Sequence, residues 1–233
     1  KGARGYGGKC LPKDIKALIQ LANSKGVDLK LHKAAEVINN ELMRAQGIDD
    51  PEKKGMRPGF LSIMAKIIVT GGAGFIGSNL VDALIVKGHD VLIIDNLSTG
   101  KKDNINKSAN FVEEDLRNYD KIHPLFERVD FVFHEAALPR IPLSIEKPQE
   151  SNDINIKGTL NALVAAKFFG VKKFIYASSS SALGSNDEIP MKEDGQCYPL
   201  NPYALQKYVG ELYCKIFSDI YGLPTVSLRY FNV

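Results

Sequence analysis

The chain has 233 residues, 44% hydrophobic and 24% charged, enough for one large domain or one domain plus a smaller piece. Thirty Lys and Arg against 27 Asp and Glu leave a net charge of only +3, and the basic residues are scattered, which argues against nucleic-acid or membrane partners. The three cysteines, at 10, 197 and 214, stand far apart with no Cys-x-x-Cys, which suits a reducing, cytoplasmic compartment and argues against a disulfide framework or a metal site. No apolar stretch is long enough to span a bilayer, and no signal-peptide pattern opens the chain.

Residues 1–50 open on glycine and charge, then Pro12 precedes an amphipathic pattern through Ile15, Leu18, Ile19 and Leu21. A second helical pattern runs through Leu31, Ala34, Ala35, Ile38 and Leu42. A helix pair of this size buries little surface alone, so it reads as a piece of something larger. The stretch Gly5-Tyr-Gly-Gly-Lys-Cys-Leu-Pro-Lys-Asp14 resembles the nucleotide-sugar 6-dehydrogenases. That resemblance implies Cys10 as a nucleophile assisted by Asp14, and a thiolate at a helix N-terminus has the lowered pKa such a role needs. The dinucleotide domain of that family lies upstream of this motif, so no dehydrogenase activity is expected of the segment. Residues 51–63 are polar and rich in proline and glycine and read as a linker, with Met64 opening the next segment.

From Met64 the pattern is of a different kind. The β-branched run Ile67 to Thr70 meets Gly71, Gly72, Gly74 and Gly77, and a helical pattern opens at once with Leu80, Val81, Leu84 and Ile85. A strand, a glycine turn and a helix N-terminus form a place for a dinucleotide: Gly71 turns the chain, Gly74 admits a phosphate, Gly77 lets helix and strand pack. Asp90 to Asp95 is a strand ending in a carboxylate roughly twenty residues past the glycines, where an acid accepts ribose hydroxyls; it favours NAD over NADP by repelling a 2′-phosphate. The turn Asn96 to Gly100 comes next, then strands over 109–113 and 129–134, a helix over 152–169, a strand over 172–177, a helix over 202–221 and a strand over 225–230. Strands alternating with helices at this spacing predict an α/β fold with a doubly wound parallel sheet.

Tyr203 and Lys207 stand four apart, on one face of their helix, shortly after the run Ser178 to Ser181. A free phenol has a pKa of about 10 and is a poor base at neutral pH; a nearby ammonium and a cationic nicotinamide are expected to lower it. These residues, with Gly71 to Gly77, Asp95-Asn-Leu-Ser98, Asp115-Leu-Arg117, His134-Glu-Ala-Ala137, Asn155 to Thr159 and Arg229-Tyr-Phe-Asn232, resemble the extended short-chain dehydrogenases/reductases, and among them the NAD-dependent nucleotide-sugar 4-epimerases.

The resemblance implies a C4 epimerisation of a UDP-sugar through a transient 4-keto sugar. Tyr203 would be the base, Lys207 would hold the nicotinamide ribose, and Ser179 would relay the hydroxyl proton, with Ser180 the fallback. The cofactor site would draw on Gly71, Gly74, Phe75, Ile76, Gly77, Asp95, Asn96, Ser98, Asp115, Leu116, Ala136, Ala137, Asn155 and Tyr230. The sugar nucleotide would meet Ser179, Ser180, Arg140 and Asn232. Helices 152–169 and 202–221 would form a homodimer interface. Related 4,6-dehydratases carry an acid where Ser179 to Ser181 stand, so epimerisation is favoured over elimination. A dehydratase, a reductase or a non-catalytic NAD-binding module are the alternatives. Leu183 replaces an aromatic usual in the family, and Leu143 stands where relatives often carry arginine. The family continues beyond Asn232 into a substrate lobe, so turnover is expected to require residues past Val233.

Overall fold

The computed structural model describes residues 64–184 and 191–231. Contacts divide the chain into Lys1–Ile63 and Met64–Val233. The helices expected in the first fifty residues, Cys10, Asp14, the linker and Asn232 lie outside the described residues.

The second unit is built on six parallel strands in the order β3-β2-β1-β4-β5-β6. They are β1 (Lys66–Thr70), β2 (Asp90–Asp95), β3 (Asn110–Glu113), β4 (Phe131–His134), β5 (Lys173–Ser179) and β6 (Thr225–Tyr230). The strand limits expected for 90–95 and 225–230 are met to the residue, and β5 runs two residues further, into the serine cluster. Strand order reverses between β1 and β4, and the crevice outside the carboxyl ends of such a pair is where ligands bind in open α/β sheets. Ile67, Ile68 and Val69 in β1 and Val132 and Phe133 in β4 are wholly buried, as central strands covered on both faces require.

Helix α1 (Phe75–Val86) packs against β1 and β2. A short turn of helix, α2 (Tyr119–Ile122), is followed by the 3₁₀ turn His123–Phe126. After β4 come α3 (Ile141–Glu146) and α4 (Pro148–Asn152), a π-helical turn over Asp153–Lys157, and α5 (Gly158–Phe168). The helix expected over 152–169 is therefore interrupted near its start. Helix α3 has no counterpart among the expected elements, because Pro142 and six residues leave too short a periodic pattern to read. Helix α6 (Pro202–Asp219) is capped by Asn201, whose side chain accepts the Ala204 N–H, with Pro202 in the first turn.

The main core joins Ile68, Val132, Phe174 and Tyr176 of the sheet to Ala162, Leu163, Ala165 and Ala166 of α5 and Cys214 and Phe217 of α6. Small alanines let α5 lie close on the sheet. Burying one Phe here, relative to leaving it exposed, contributes about 1.5–3 kcal/mol.

Candidate cofactor and active site

The carboxyl ends of β1, β2, β4 and β5 converge on one rim. At β1, Gly71 takes φ 69, and its N–H donates to the Ile94 carbonyl at 2.8 Å. A Cβ there would lie 2.7 Å from the Ala136 nitrogen, so β1 and β4 approach closely only because residue 71 is glycine. A Cβ on Gly77 would run into the Gly71 carbonyl, which fixes how tightly α1 sits on the turn. At Gly74, the α1 N-cap, an added Cβ would meet only the Gly71 oxygen at 3.2 Å, and no side chain caps the helix. Phe75 and Ile76 sit in that uncapped first turn, Phe75 exposed.

Asp95 closes β2 beside this turn. One carboxylate oxygen accepts the Ala73 N–H at 3.0 Å and the other the Leu97 N–H at 2.8 Å. Leu97 takes the left-handed φ of 57 that brings its N–H inward. Asn96 donates to Asp115 at 2.8 Å, and Arg117 grips the same carboxylate through Nε and Nη2. The Arg117 hydrogen bonds hold Asp115 down at about 2. Ser98 is exposed at the turn, whereas the Leu116 side chain is buried in the main core.

At the end of β4, His134 is enclosed between two threonines, Nδ1 at 2.9 Å from Thr70 Oγ1 and Nε2 at 2.9 Å from Thr159 Oγ1. The Thr159 hydroxyl donates to the Asn155 carbonyl, so it accepts from Nε2–H. Thr70 then donates to Nδ1 while accepting the Ala136 N–H at 3.3 Å. Burial pushes the His134 pKa down to about 3, and the ring is neutral. Ala136 and Ala137 come next, half-buried, on the way to Arg140, which is exposed as the residue preceding α3.

Asn155 sits in the π-helical turn. Its side chain accepts the Leu138 N–H at 2.7 Å and donates to Gln206 Oε1 at 2.7 Å, tying the loop after β4 to α6. Ser151 donates to the same Gln206 oxygen at 2.8 Å. A π turn adds a residue to one helical turn and re-aims the side chains around it, a device common at functional sites.

Helix α6 brings Tyr203 and Lys207 to the rim. The Tyr203 N–H donates to Ser144 Oγ of α3 at 3.2 Å. Ser179, the last residue of β5, uses its hydroxyl to accept the Ser181 N–H and to donate to the Ser181 hydroxyl, both at 3.1 Å. Ser180 opens the 3₁₀ turn after β5, half-buried. Burial raises the Tyr203 pKa and the Ser179 hydrogen bond is the opposing influence, so within the protein the ammonium does not by itself bring the phenol down as expected. Lys207 is buried, donates from Nζ to the Ala177 carbonyl at 2.7 Å and lies 5.1 Å from the Tyr176 ring centre. Burial lowers its pKa to about 8. Tyr230 ends β6, its hydroxyl donating to Glu135 at 3.0 Å.

Sequence reasoning missed Gln206, Ser144, Thr70 and Glu135. Thr70 and Glu135 flank residues it used, but nothing in their spacing announces the contacts they make.

Residues 67–233 match the model of the NAD dependent epimerase/dehydratase family. The chain belongs to this family. Residues 1–41 separately match the central domain of the UDP-glucose/GDP-mannose dehydrogenase family. Among curated relatives, a putative UDP-glucose 4-epimerase of Methanocaldococcus jannaschii is 45% identical over 72% of this chain and 55% of its own length. The Lacticaseibacillus casei UDP-glucose 4-epimerase is 37% identical over 72% of this chain and 51% of its own. Among solved structures, the UDP-N-acetylglucosamine 4-epimerase of Methanobrevibacter ruminantium, in complex with UDP-N-acetylmuramic acid, aligns with TM-score 0.70 and 44% identity over 72% of this chain and 55% of that one. The Thermus thermophilus UDP-glucose 4-epimerase complex with NAD aligns with TM-score 0.68 and 37% identity over 71% and 54%. The chain thus spans about half the length of the relatives it matches.

This epimerase/dehydratase chain fits the dinucleotide its family uses. The glycines keep the turn tight, since a Cβ at 71 or 77 would strike neighbouring main chain, while residue 74 leaves the approach to the α1 N-terminus open. Asp95 spends one lone pair of each oxygen on the backbone, leaving both oxygens able to accept a ribose hydroxyl.

Proposed function

We propose that residues 64–233 are the NAD-holding part of a nucleotide-sugar 4-epimerase acting on a UDP-sugar such as UDP-glucose or UDP-N-acetylglucosamine. The observation that supports this reading is that Lys207, one turn after Tyr203 on α6, holds the Ala177 carbonyl at 2.7 Å, two residues before Ser179 ends β5. NAD held by these residues would supply reversible hydride acceptance at the sugar C4, so that the 4-keto sugar could be reduced on its other face. Tyr203 removes the 4-hydroxyl proton and gives it back; Ser179 relays it. Lys207 binds the nicotinamide ribose and supplies positive charge beside the phenol. Burial raises Tyr203, so the phenolate depends on that charge together with the nicotinamide's. Asp95 receives the adenosine ribose, the α1 first turn the diphosphate, and Arg140, Ser180 and Asn232 the sugar nucleotide. Ser179 to Ser181 carry no carboxylate, which supports epimerisation over elimination.

Residues 1–50 are read as a fragment of the 6-dehydrogenase kind and 51–63 as a linker. The exposed apolar side chains Val164, Phe168, Leu205, Leu212, Ile216 and Ile220 on α5, α6 and the residue just past α6 support a homodimer through these helices. Among the described residues no helix is long and apolar enough to cross a membrane.

The test is conversion of UDP-glucose or UDP-N-acetylglucosamine to its 4-epimer by a chain extended past Val233 through the lobe its relatives possess. Tyr203→Phe should lower turnover at least ~100-fold while NAD still binds, since general acid–base catalysis contributes that much or more. Undiminished turnover would sink the mechanism. A 4-keto-6-deoxy product would replace epimerisation by dehydration. NAD binding without turnover, even in the extended chain, would leave a binding module.

A further inference from the structure

Lys207 is a buried ammonium that donates to Ala177 O at 2.7 Å and lies over the Tyr176 ring, a carbonyl and an aromatic face. Burying a cation with neutral partners alone costs several kcal/mol, and such groups are normally matched by an opposite charge. The end of β4 carries an acid close by. His134 of β4 pairs with Tyr176 of β5, Glu135 follows directly after the end of β4, and Lys207 holds the carbonyl of Ala177, the residue after Tyr176. The Glu135 N–H donates to the Thr70 carbonyl at 3.2 Å, which fixes its main chain to β1. Its carboxyl reaches past β5 to β6, where Tyr230 donates to Oε1 at 3.0 Å. Oε2 is shut off from solvent and has no hydrogen-bond partner among the described residues.

The charged and titratable groups acting on Glu135 are Tyr230 from β6 and Lys207 from α6, while β1 meets it with the Thr70 carbonyl. On Lys207 the corresponding groups are Glu135 and, from its own helix, Cys214, and the field of Lys207 also reaches the neutral His134. Glu135 is the carboxylate among them.

We propose that Glu135 is the buried counter-charge of Lys207 and so a positioning residue for the tyrosine–lysine pair, with Tyr230 orienting its carboxyl. The role rests on the reading of Tyr203 and Lys207 as the reacting pair. Ionised Glu135 keeps the ammonium on Lys207 in a site that otherwise favours the neutral amine; protonated Glu135 withdraws that support. Burial raises Glu135 to about 7, opposed by the Tyr230 hydrogen bond and the Lys207 charge, so the device is poised near neutrality. The motif carries this acid between His134 and Ala136.

The experiment titrates the chain labelled with ¹³C at lysine Cε and glutamate Cδ, with the Lys207 and Glu135 signals assigned by their loss in Lys207→Arg and Glu135→Gln. In Glu135→Gln the Lys207 midpoint should fall by about one pH unit, the shift an opposite charge at short range typically produces. Tyr230→Phe is the gentler variant: the Glu135 midpoint should rise and the Lys207 midpoint fall by a smaller amount. The alkaline limb of NAD binding should move down with Lys207. A Lys207 midpoint unmoved in both variants overturns the proposal. None of these readouts requires turnover, so a Lys207 shift in a chain that proves not to epimerise leaves the counter-charge standing and removes only the epimerase reading.

Discussion

At the scale of single residues, the rim is set by polar side chains whose partners leave them one protonation state. His134 is the clearest case, since Thr70 donates to one ring nitrogen and Thr159 accepts from the other. Protonating it would bring a second N–H against the Thr70 hydroxyl inside a solvent-free core. Its folded pKa, about 3, lies below the ordinary 6.5, so the stability it supplies is complete above pH 6.5 and is lost as pH falls towards 3. By linkage the loss between pH 6.5 and 4 is on the order of 3 kcal/mol. Urea unfolding at stepped pH should show this slope in the wild-type chain and a flatter one in His134→Asn, whatever that variant's starting stability. An equal slope in both would mean that other groups govern acid unfolding. Glu135 bears on the same rim and could not be read from the sequence, because its carboxyl is given meaning by Tyr230, which lies 95 residues away. Tyr203 and Lys207 could, since a spacing of four residues puts two side chains on one helical face with no tertiary information. The structure does not show the lowered phenol pKa expected from that spacing, because burial raises Tyr203 and spacing says nothing of burial.

At the scale of elements, legibility tracks the strength of local signals. The β1–glycine turn–α1 unit and the strands β2 and β6 are readable, because β-branched runs bounded by glycine or acid leave little choice of state. The π turn at Asp153–Lys157 is not, because one extra residue in a turn leaves the apolar periodicity of the surrounding helix nearly intact. Yet it is this turn that lets Asn155 hold both the loop after β4 and Gln206 of α6. The placement of α6 itself rests on Gly210, directly against the Tyr176 ring: a Cβ there would run into the phenol, with the ring Cε1 only 2.8 Å away. The Tyr176 hydroxyl meanwhile donates to the Lys207 carbonyl, so displacing the ring disturbs the helix at the turn that carries Lys207. Gly210→Ala should therefore destabilise the chain by about 1–3 kcal/mol, as overpacking does, despite alanine's better helix propensity. It should also weaken NAD binding, because Lys207 moves with α6. A variant as stable as wild type, with unaltered NAD affinity, would show that Tyr176 can give way without moving the helix.

At the scale of the molecule, the parallel sheet sends every strand's carboxyl end to one rim, so the groups proposed for cofactor and proton transfer come from β1, β2, β4, β5 and α6 at once. The opposite consequence falls on α5 and α6. Their inner faces cover the core, and their outer faces keep Phe168 at 66% and Leu205 at 51% exposure, with Val164, Leu212 and Ile216 also exposed. Isolated apolar residues on a surface need no explanation, but two adjacent helices bearing a shared apolar stripe mark an interaction surface. The proposed occupant is a second copy of this chain, since two such helix pairs related by a two-fold axis bury the same stripe against itself and close without leaving a free edge. Sedimentation velocity on the full chain should then give a dimer. Leu212→Glu, which sets a charge at the centre of the stripe and touches no rim residue, should weaken dimerisation at least ~30-fold, the loss of about 2 kcal/mol expected when an apolar anchor is replaced. NAD affinity of the resulting monomer should stay within a few-fold of wild type, because the rim draws its ligand-facing groups from one copy alone. A wild-type chain that sediments as a monomer throughout the micromolar range would refute the interface; a Leu212→Glu dimer would place it on another face.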